Sequence, residues 1–149
     1  MSVAKQSGAV PQIYKFHWHV LFTHFPVSLL IVAFGFHLLN IWFAPPGFGL
    51  ATDIVFIAAV AILVPASLTG WLTWEKAYKG ARLMLFQRKI AVCLAMMVIG
   101  LPLGVWRAIM LITGMKDTGL FHWVYFAGNG LLIIGAIIEG YYGGRLSHR

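Results

Sequence analysis

Residues 21–43 read LFTHFPVSLLIVAFGFHLLNIWF, an apolar run without a Lys, Arg, Asp or Glu. As an α-helix rising about 1.5 Å per residue, these 23 residues extend over roughly 34 Å, enough to cross a hydrocarbon core of about 30 Å. The turn residues APPG at 44–47 follow directly and end the run. This stretch predicts a transmembrane helix, and it sets the fold class for the rest of the chain.

Three more apolar stretches follow, at about residues 54–74, 90–113 and 122–142. Of the residues in the chain, 60% are hydrophobic and 10% are charged. A soluble domain averages about 45–50% apolar and about 25% charged residues. Short connections make consecutive helices antiparallel neighbours. We therefore predict an all-α fold, a single integral membrane domain over residues 1–149 in which four helices form a bundle.

Basic residues predict the orientation of the bundle, because cytoplasmic loops of membrane proteins are enriched in Lys and Arg. Nine of the eleven basic residues flank the spans on one side: Lys5, Lys15, Lys76, Lys79, Arg82, Arg88, Lys89, Arg145 and Arg149. The opposite loops carry only Lys116, and Arg107 lies late in the third span. Both termini and the middle loop are therefore expected in the cytoplasm, with the protein multi-pass in the bacterial inner membrane.

Several function classes are disfavoured by composition and motifs. The net charge is +7, and the basic residues that produce it cluster between the apolar segments. This pattern favours anionic lipid headgroups over nucleic acid as their partner. Cys93 is the only cysteine, so neither an internal disulfide nor a CxxCH haem attachment can form. No hydrolase triad, phosphate-binding glycine loop or HExxH motif is present. Any activity is expected to belong to a bound cofactor or to a partner subunit rather than to this chain alone.

Six histidines are unusual in so apolar a chain, since polar groups at membrane depth are expensive and usually functional. In the predicted topology they fall into two levels. Towards the cytoplasmic face lie His17, His19, His24 and His148, and towards the outer face lie His37 and His122.

Two levels of histidine suit b-type haem, because each haem iron can take two imidazoles from facing helices. The outer pair is predicted to be His37 with His122, and the inner pair to be one of His17, His19 or His24 with His148. The two histidines His24 and His37 are 13 residues apart on the first helix and therefore point about 140° away from each other. A straight helix could not direct both towards the same neighbouring helix. One or two haems are therefore expected, with the axial pairs left open.

A few other residues carry expectations of their own. Arg107 is predicted to reach outward or to neutralise a haem propionate, and Glu139 to bind a proton or a basic residue. Asp53 is expected to cap the second helix. Asn129 is expected to hydrogen-bond across a helix contact, and the small residues Ala136, Gly140 and Gly144 to form a close-packing strip.

Residues 19–26 read HVLFTHFP, and this motif resembles that of a bacterial family of small four-helix membrane proteins of unknown function, marked by His-Pro-x-x-x-His-Phe-Pro. The similarity continues at Thr69-Gly70, at Arg107 and at Gly143-Gly144-Arg145-Leu146. This chain departs from the pattern at Val20, which replaces a proline, and at Gln87-Arg88, where relatives often carry a histidine. The resemblance implies a four-helix membrane fold and no particular activity.

The histidines favour a small cytochrome b-like subunit that passes electrons between quinone and a redox partner. Haem b is the expected cofactor, with quinone as a second, and the candidate ligands are His37, His122, His24, His19 and His148, with Arg107 beside them. The alternative is a non-redox anchor or assembly subunit whose histidines only pack and hydrogen-bond. A proton conduit through Glu139 is a third interpretation, weakened by the lack of a continuous polar stripe. The expected partners are the lipid bilayer and other subunits of a membrane redox complex.

Overall fold

The protein is all-helical in this computed structural model, which describes residues 18–80, 84–115 and 119–147. Four helices follow in chain order: α1 Trp18–Phe43, α2 Phe48–Tyr78, α3 Met84–Thr113 and α4 Leu120–Ser147. All four contain a stretch long and apolar enough to cross a membrane. The predicted four-helix architecture is confirmed, and the predicted ends at residues 43 and 113 coincide with the ends of α1 and α3.

The helices form a closed ring, in which α1 packs on α2, α2 on α3, α3 on α4, and α4 back on α1. The turn at 44–47, the end of α3 and the start of α4 lie at one end of this bundle, here called the Gly47 end. The end of α2 and the start of α3 lie at the other end, here called the Gly80 end. Among the described residues, contact is most extensive between α1 and α2 and least extensive between α1 and α4.

The α1–α2 turn begins where the sequence predicts it. Ala44 and Gly47 both have positive φ, 43° and 83°, and Gly47 is the N-cap of α2. A positive φ is strained for Ala and easy for Gly. Because α2 already begins at Phe48, Asp53 lies inside the helix and the prediction that it caps α2 is wrong.

The bundle interior is packed with apolar side chains from all four helices. The buried core comprises Leu30, Ala33, Phe56, Ala59, Val60, Leu63, Met96, Tyr125, Leu132 and Ala136. Large apolar side chains on the outer faces are exposed in the isolated bundle, Ile112 at 83% and Val98 at 73%. Apolar surface of this extent is compatible with contact to lipid.

Close helix contacts are made by glycines other than the predicted strip. A Cβ on Gly104 would lie 2.9 Å from a methyl of Val60, one on Gly135 would lie 2.7 Å from Met96, and one on Gly128 would collide with Leu103. Gly140 is exposed, with open space beside it. The prediction of a close contact at Gly140 is therefore wrong, whereas Ala136 is buried as expected.

Candidate functional site

His37 is the most buried histidine that the structure describes, at 2% exposure. It lies in the last third of α1 near the Gly47 end and faces the bundle interior. Its imidazole contacts three rings of α4, with centroids 4.8 Å away at Tyr125, 5.2 Å at His122 and 5.4 Å at Phe126. An ionisable ring enclosed in this way is expensive at membrane depth and marks a candidate site.

His122 lies in the first turn of α4 and is half-buried. The antiparallel arrangement of α1 and α4 brings it against His37, with the two rings edge to face at an interplanar angle of 78°. The sequence-based pairing of His37 with His122 therefore corresponds to a direct contact. The two imidazoles meet at the contact between α1 and α4, here called the α1–α4 seam.

Arg107 of α3 forms a buried ion pair with Asp53 of α2 beside these rings. Its Nη2 lies 2.6 Å from Oδ1 and 2.8 Å from Oδ2 of the carboxylate, and its Nε donates to Oδ1 over 2.9 Å. The two side chains are only 9% and 13% exposed. Two charges this well enclosed are tolerated because each neutralises and hydrogen-bonds the other. This pair was not predicted from the sequence, which suggested instead that Arg107 reaches outward or neutralises a haem propionate.

Tyr125 joins the ion pair to the histidines. The guanidinium carbon of Arg107 lies 4.2 Å from the centroid of its ring, within the range of a cation–π interaction. The same ring contacts His37 on α1 and Phe56 on α2. All four helices thus contribute to one polar cluster, which comprises His37, Asp53, Arg107, His122 and Tyr125.

Of the other predicted haem ligands, only His24 has a described side chain, and it lies away from this cluster. His24 is exposed on the outer face of α1, as the 13-residue phase difference from His37 predicts. Only the backbone of His19 is described, as part of α1, and His17 and His148 lie outside the described residues. No inner-level histidine pair can therefore be assigned.

A b-type haem can be held by two neutral imidazoles. The donor set of the His37–His122 pair fits this chemistry. The two rings meet edge to face with centroids 5.2 Å apart, so they would have to separate and turn to admit a haem. Among the described residues, no group of three or more His, Cys, Asp or Glu side chains is placed to hold a metal ion.

A second group of polar side chains lies near the Gly80 end. Lys89 of α3 lies 3.8 Å from Oε2 of Glu139 on α4, which agrees with the expectation that Glu139 binds a proton or a basic residue. One turn further along α3, Cys93 donates a hydrogen bond to Ser67 of α2, with 3.0 Å between Sγ and Oγ. This group is called the Glu139 cluster below.

Asn129 lies between the two clusters, one turn along α4 from Tyr125. It is fully buried, and within the part of the chain that the structure describes neither its Oδ1 nor its Nδ2 has a hydrogen-bond partner. The expected hydrogen bond across a helix contact is therefore not made by any described residue. Leu132 and Ala136 separate Asn129 from Glu139 on the same helix, and both are buried core residues.

Comparison with known proteins provides no family assignment, since no family model, curated protein or solved structure matches this chain. The resemblance carried by HVLFTHFP at residues 19–26 remains a prediction, and the candidate function rests on the site itself.

Proposed function

We propose that this protein is a small membrane cytochrome b-like subunit that binds haem b through His37 and His122 and passes electrons between quinone and a redox partner. The observation that carries the proposal is the contact between these two imidazoles, whose ring centroids lie 5.2 Å apart on antiparallel helices. Burial of His37 supports it, since a polar ring enclosed at membrane depth is usually functional.

Haem held by two protein imidazoles has no open coordination position, so it supplies one-electron transfer rather than oxygen or substrate chemistry. His37 and His122 hold and orient the group.

The ion pair gives Arg107 a different part in this proposal from the expected propionate contact. Asp53 already uses three hydrogen bonds of the guanidinium, and Arg107 stacks on Tyr125. Tyr125 in turn lies against the His37 ring. Asp53 and Arg107 therefore act as positioning residues that hold Tyr125, and through it His37, in place.

The proposed cellular setting is the bacterial inner membrane, with both termini in the cytoplasm. Its support is the basic residues of the sequence, nine of which fall on one side of the spans. In this orientation the Gly80 end faces the cytoplasm, and the His37–His122 pair lies towards the outer face. Other subunits of a redox complex are the proposed electron partners.

An absorption spectrum and a pyridine haemochrome assay test the proposal on protein purified in detergent from haem-replete cells. We expect a reduced low-spin b-type spectrum and about one haem per chain at the His37–His122 pair. Colourless protein without a haemochrome signal would overturn the proposal. The non-redox membrane anchor would then be the better account of these histidines.

A further inference from the structure

The Glu139 cluster brings together four polar side chains from three helices, at the opposite end of the bundle from the His37–His122 pair. Ser67 comes from α2, Lys89 and Cys93 come from successive turns of α3, and Glu139 comes from α4. The Ser67–Cys93 hydrogen bond and the Lys89–Glu139 pair hold the cluster together.

Glu139 is incompletely bonded in this cluster. Its Oε1 is fully buried and, among the residues that the structure describes, accepts no hydrogen bond. Lys89 approaches the other oxygen, Oε2, and the distance of 3.8 Å exceeds that of a hydrogen bond. A buried carboxylate oxygen without a donor is costly. Oε1 therefore has the chemistry of a site that accepts a hydrogen bond from a bound hydroxyl.

The surroundings of Glu139 indicate how a ligand reaches it. The side chain keeps 19% of its surface exposed. Glu139 lies on the face of α4 that also carries the buried Gly135 and Ala136, and the Lys89 side chain beside it keeps 24% of its surface exposed. A ligand can therefore approach where these two side chains are partly exposed, near the Gly80 end of the α3–α4 contact.

We propose that the Glu139 cluster binds the head group of a quinol, with one quinol hydroxyl donating a hydrogen bond to Oε1 of Glu139. Lys89 balances the charge of the carboxylate from the Oε2 side. A quinol suits the site because it combines a hydroxyl donor with a lipid-soluble body. The inference rests on the proposed electron-transfer function and assigns its quinone site to the Gly80 end, away from the His37–His122 pair.

Binding is measured with decylubiquinol, kept reduced, added to the full chain in nanodiscs while tryptophan emission is recorded. Trp71 and Trp74, which contact each other near the Gly80 end of α2, serve as intrinsic reporters. We expect saturable quenching for the wild type and for Glu75→Gln, an exposed glutamate at the same end. Affinity should fall about tenfold for Glu139→Gln, because a neutral amide oxygen is a weaker acceptor than a carboxylate, and further for Glu139→Leu.

Equal affinity of the wild type and both Glu139 variants would overturn the site, as would quenching that does not saturate in the wild type. Thermal unfolding of each variant confirms that it is folded. The haem spectrum separates this inference from the proposed function. The Glu139→Gln variant should keep the haem spectrum of the wild type. If the wild type were colourless but bound quinol in a Glu139-dependent way, only the haem site would be disproved.

Discussion

Arg107 and Asp53 pair side on in the interior of the bundle, with Nη2 of the guanidinium within 2.8 Å of both carboxylate oxygens. The pair links α2 to α3, and the face of Tyr125 on α4 covers the same guanidinium at 4.2 Å. Three helices are thereby fixed around one charge. His37 of α1 packs against the same Tyr125 ring, so the fourth helix also contacts this group of side chains.

Asp53→Asn should destabilise the protein by about 3–5 kcal/mol, because removing one partner leaves a buried charge uncompensated. Unfolding in mixed micelles measures the change. The double variant Asp53→Asn with Arg107→Gln should recover part of the loss, since the unpaired charge is then removed as well. Glu75→Gln, at an exposed position, is the matched control and should stay within about 0.5 kcal/mol of the wild type. An Asp53→Asn variant as stable as this control would contradict the prediction.

His37→Ala and His122→Ala should each abolish the low-spin b-type spectrum while leaving membrane insertion intact, because one iron needs both imidazoles. The double variant should lose no more than either single variant. His24→Ala is the control on the same helix, and because His24 is exposed it should keep the spectrum. If His24→Ala lost the spectrum and His37→Ala kept it, the haem would be assigned to a different pair of histidines.

Gly104→Ala should destabilise the bundle by about 1–3 kcal/mol, because the added methyl meets the stiff β-branched Val60. Gly140→Ala adds the same methyl where no atom lies within 4 Å. It should raise stability by up to about 1 kcal/mol, because alanine is the better helix former. Thermal unfolding in one detergent compares the two variants. If both had the same effect, helix propensity rather than packing would be the cause.

Asn129→Leu should leave the stability unchanged or raise it by about 1–2 kcal/mol, since it replaces a buried amide with an apolar side chain of similar size. Asn129→Ala removes the same polar atoms and also leaves a cavity, so it should be the less stable of the two. Chemical unfolding of both variants provides the measurement. A loss of more than about 1 kcal/mol in the leucine variant would reveal a hydrogen bond made by Asn129.

Reporter fusions test the proposed orientation. Fusions at Gly47 and Met115 should report the periplasm, and a fusion after Arg149 should report the cytoplasm, because the basic residues concentrate on one side of the spans. A periplasmic C-terminus would reverse the proposed orientation and move the His37–His122 pair to the cytoplasmic half.

The sequence predicted the helices more accurately than the contacts between them. Helix α1 ends at Phe43, where the apolar run meets Ala44 and two prolines. The pairing of His37 with His122 was also predictable, because helix order and depth place both near the Gly47 end. The Asp53–Arg107 pair was not predicted, because the residues are 54 positions apart and Asp53 had a plausible local role as a helix cap.

Length and hydrophobicity of each segment thus determined from sequence alone that four helices form and are able to span a membrane, because these properties depend on each segment by itself. Only the tertiary structure decided that Gly104 rather than Gly140 lies in a close contact, that His24 faces outward, and that Asp53 meets Arg107. The rotation of each helix about its axis sets these outcomes. In a chain apolar on nearly every helix face, the sequence pattern does not determine that rotation, and it is fixed by the packing of all four helices together.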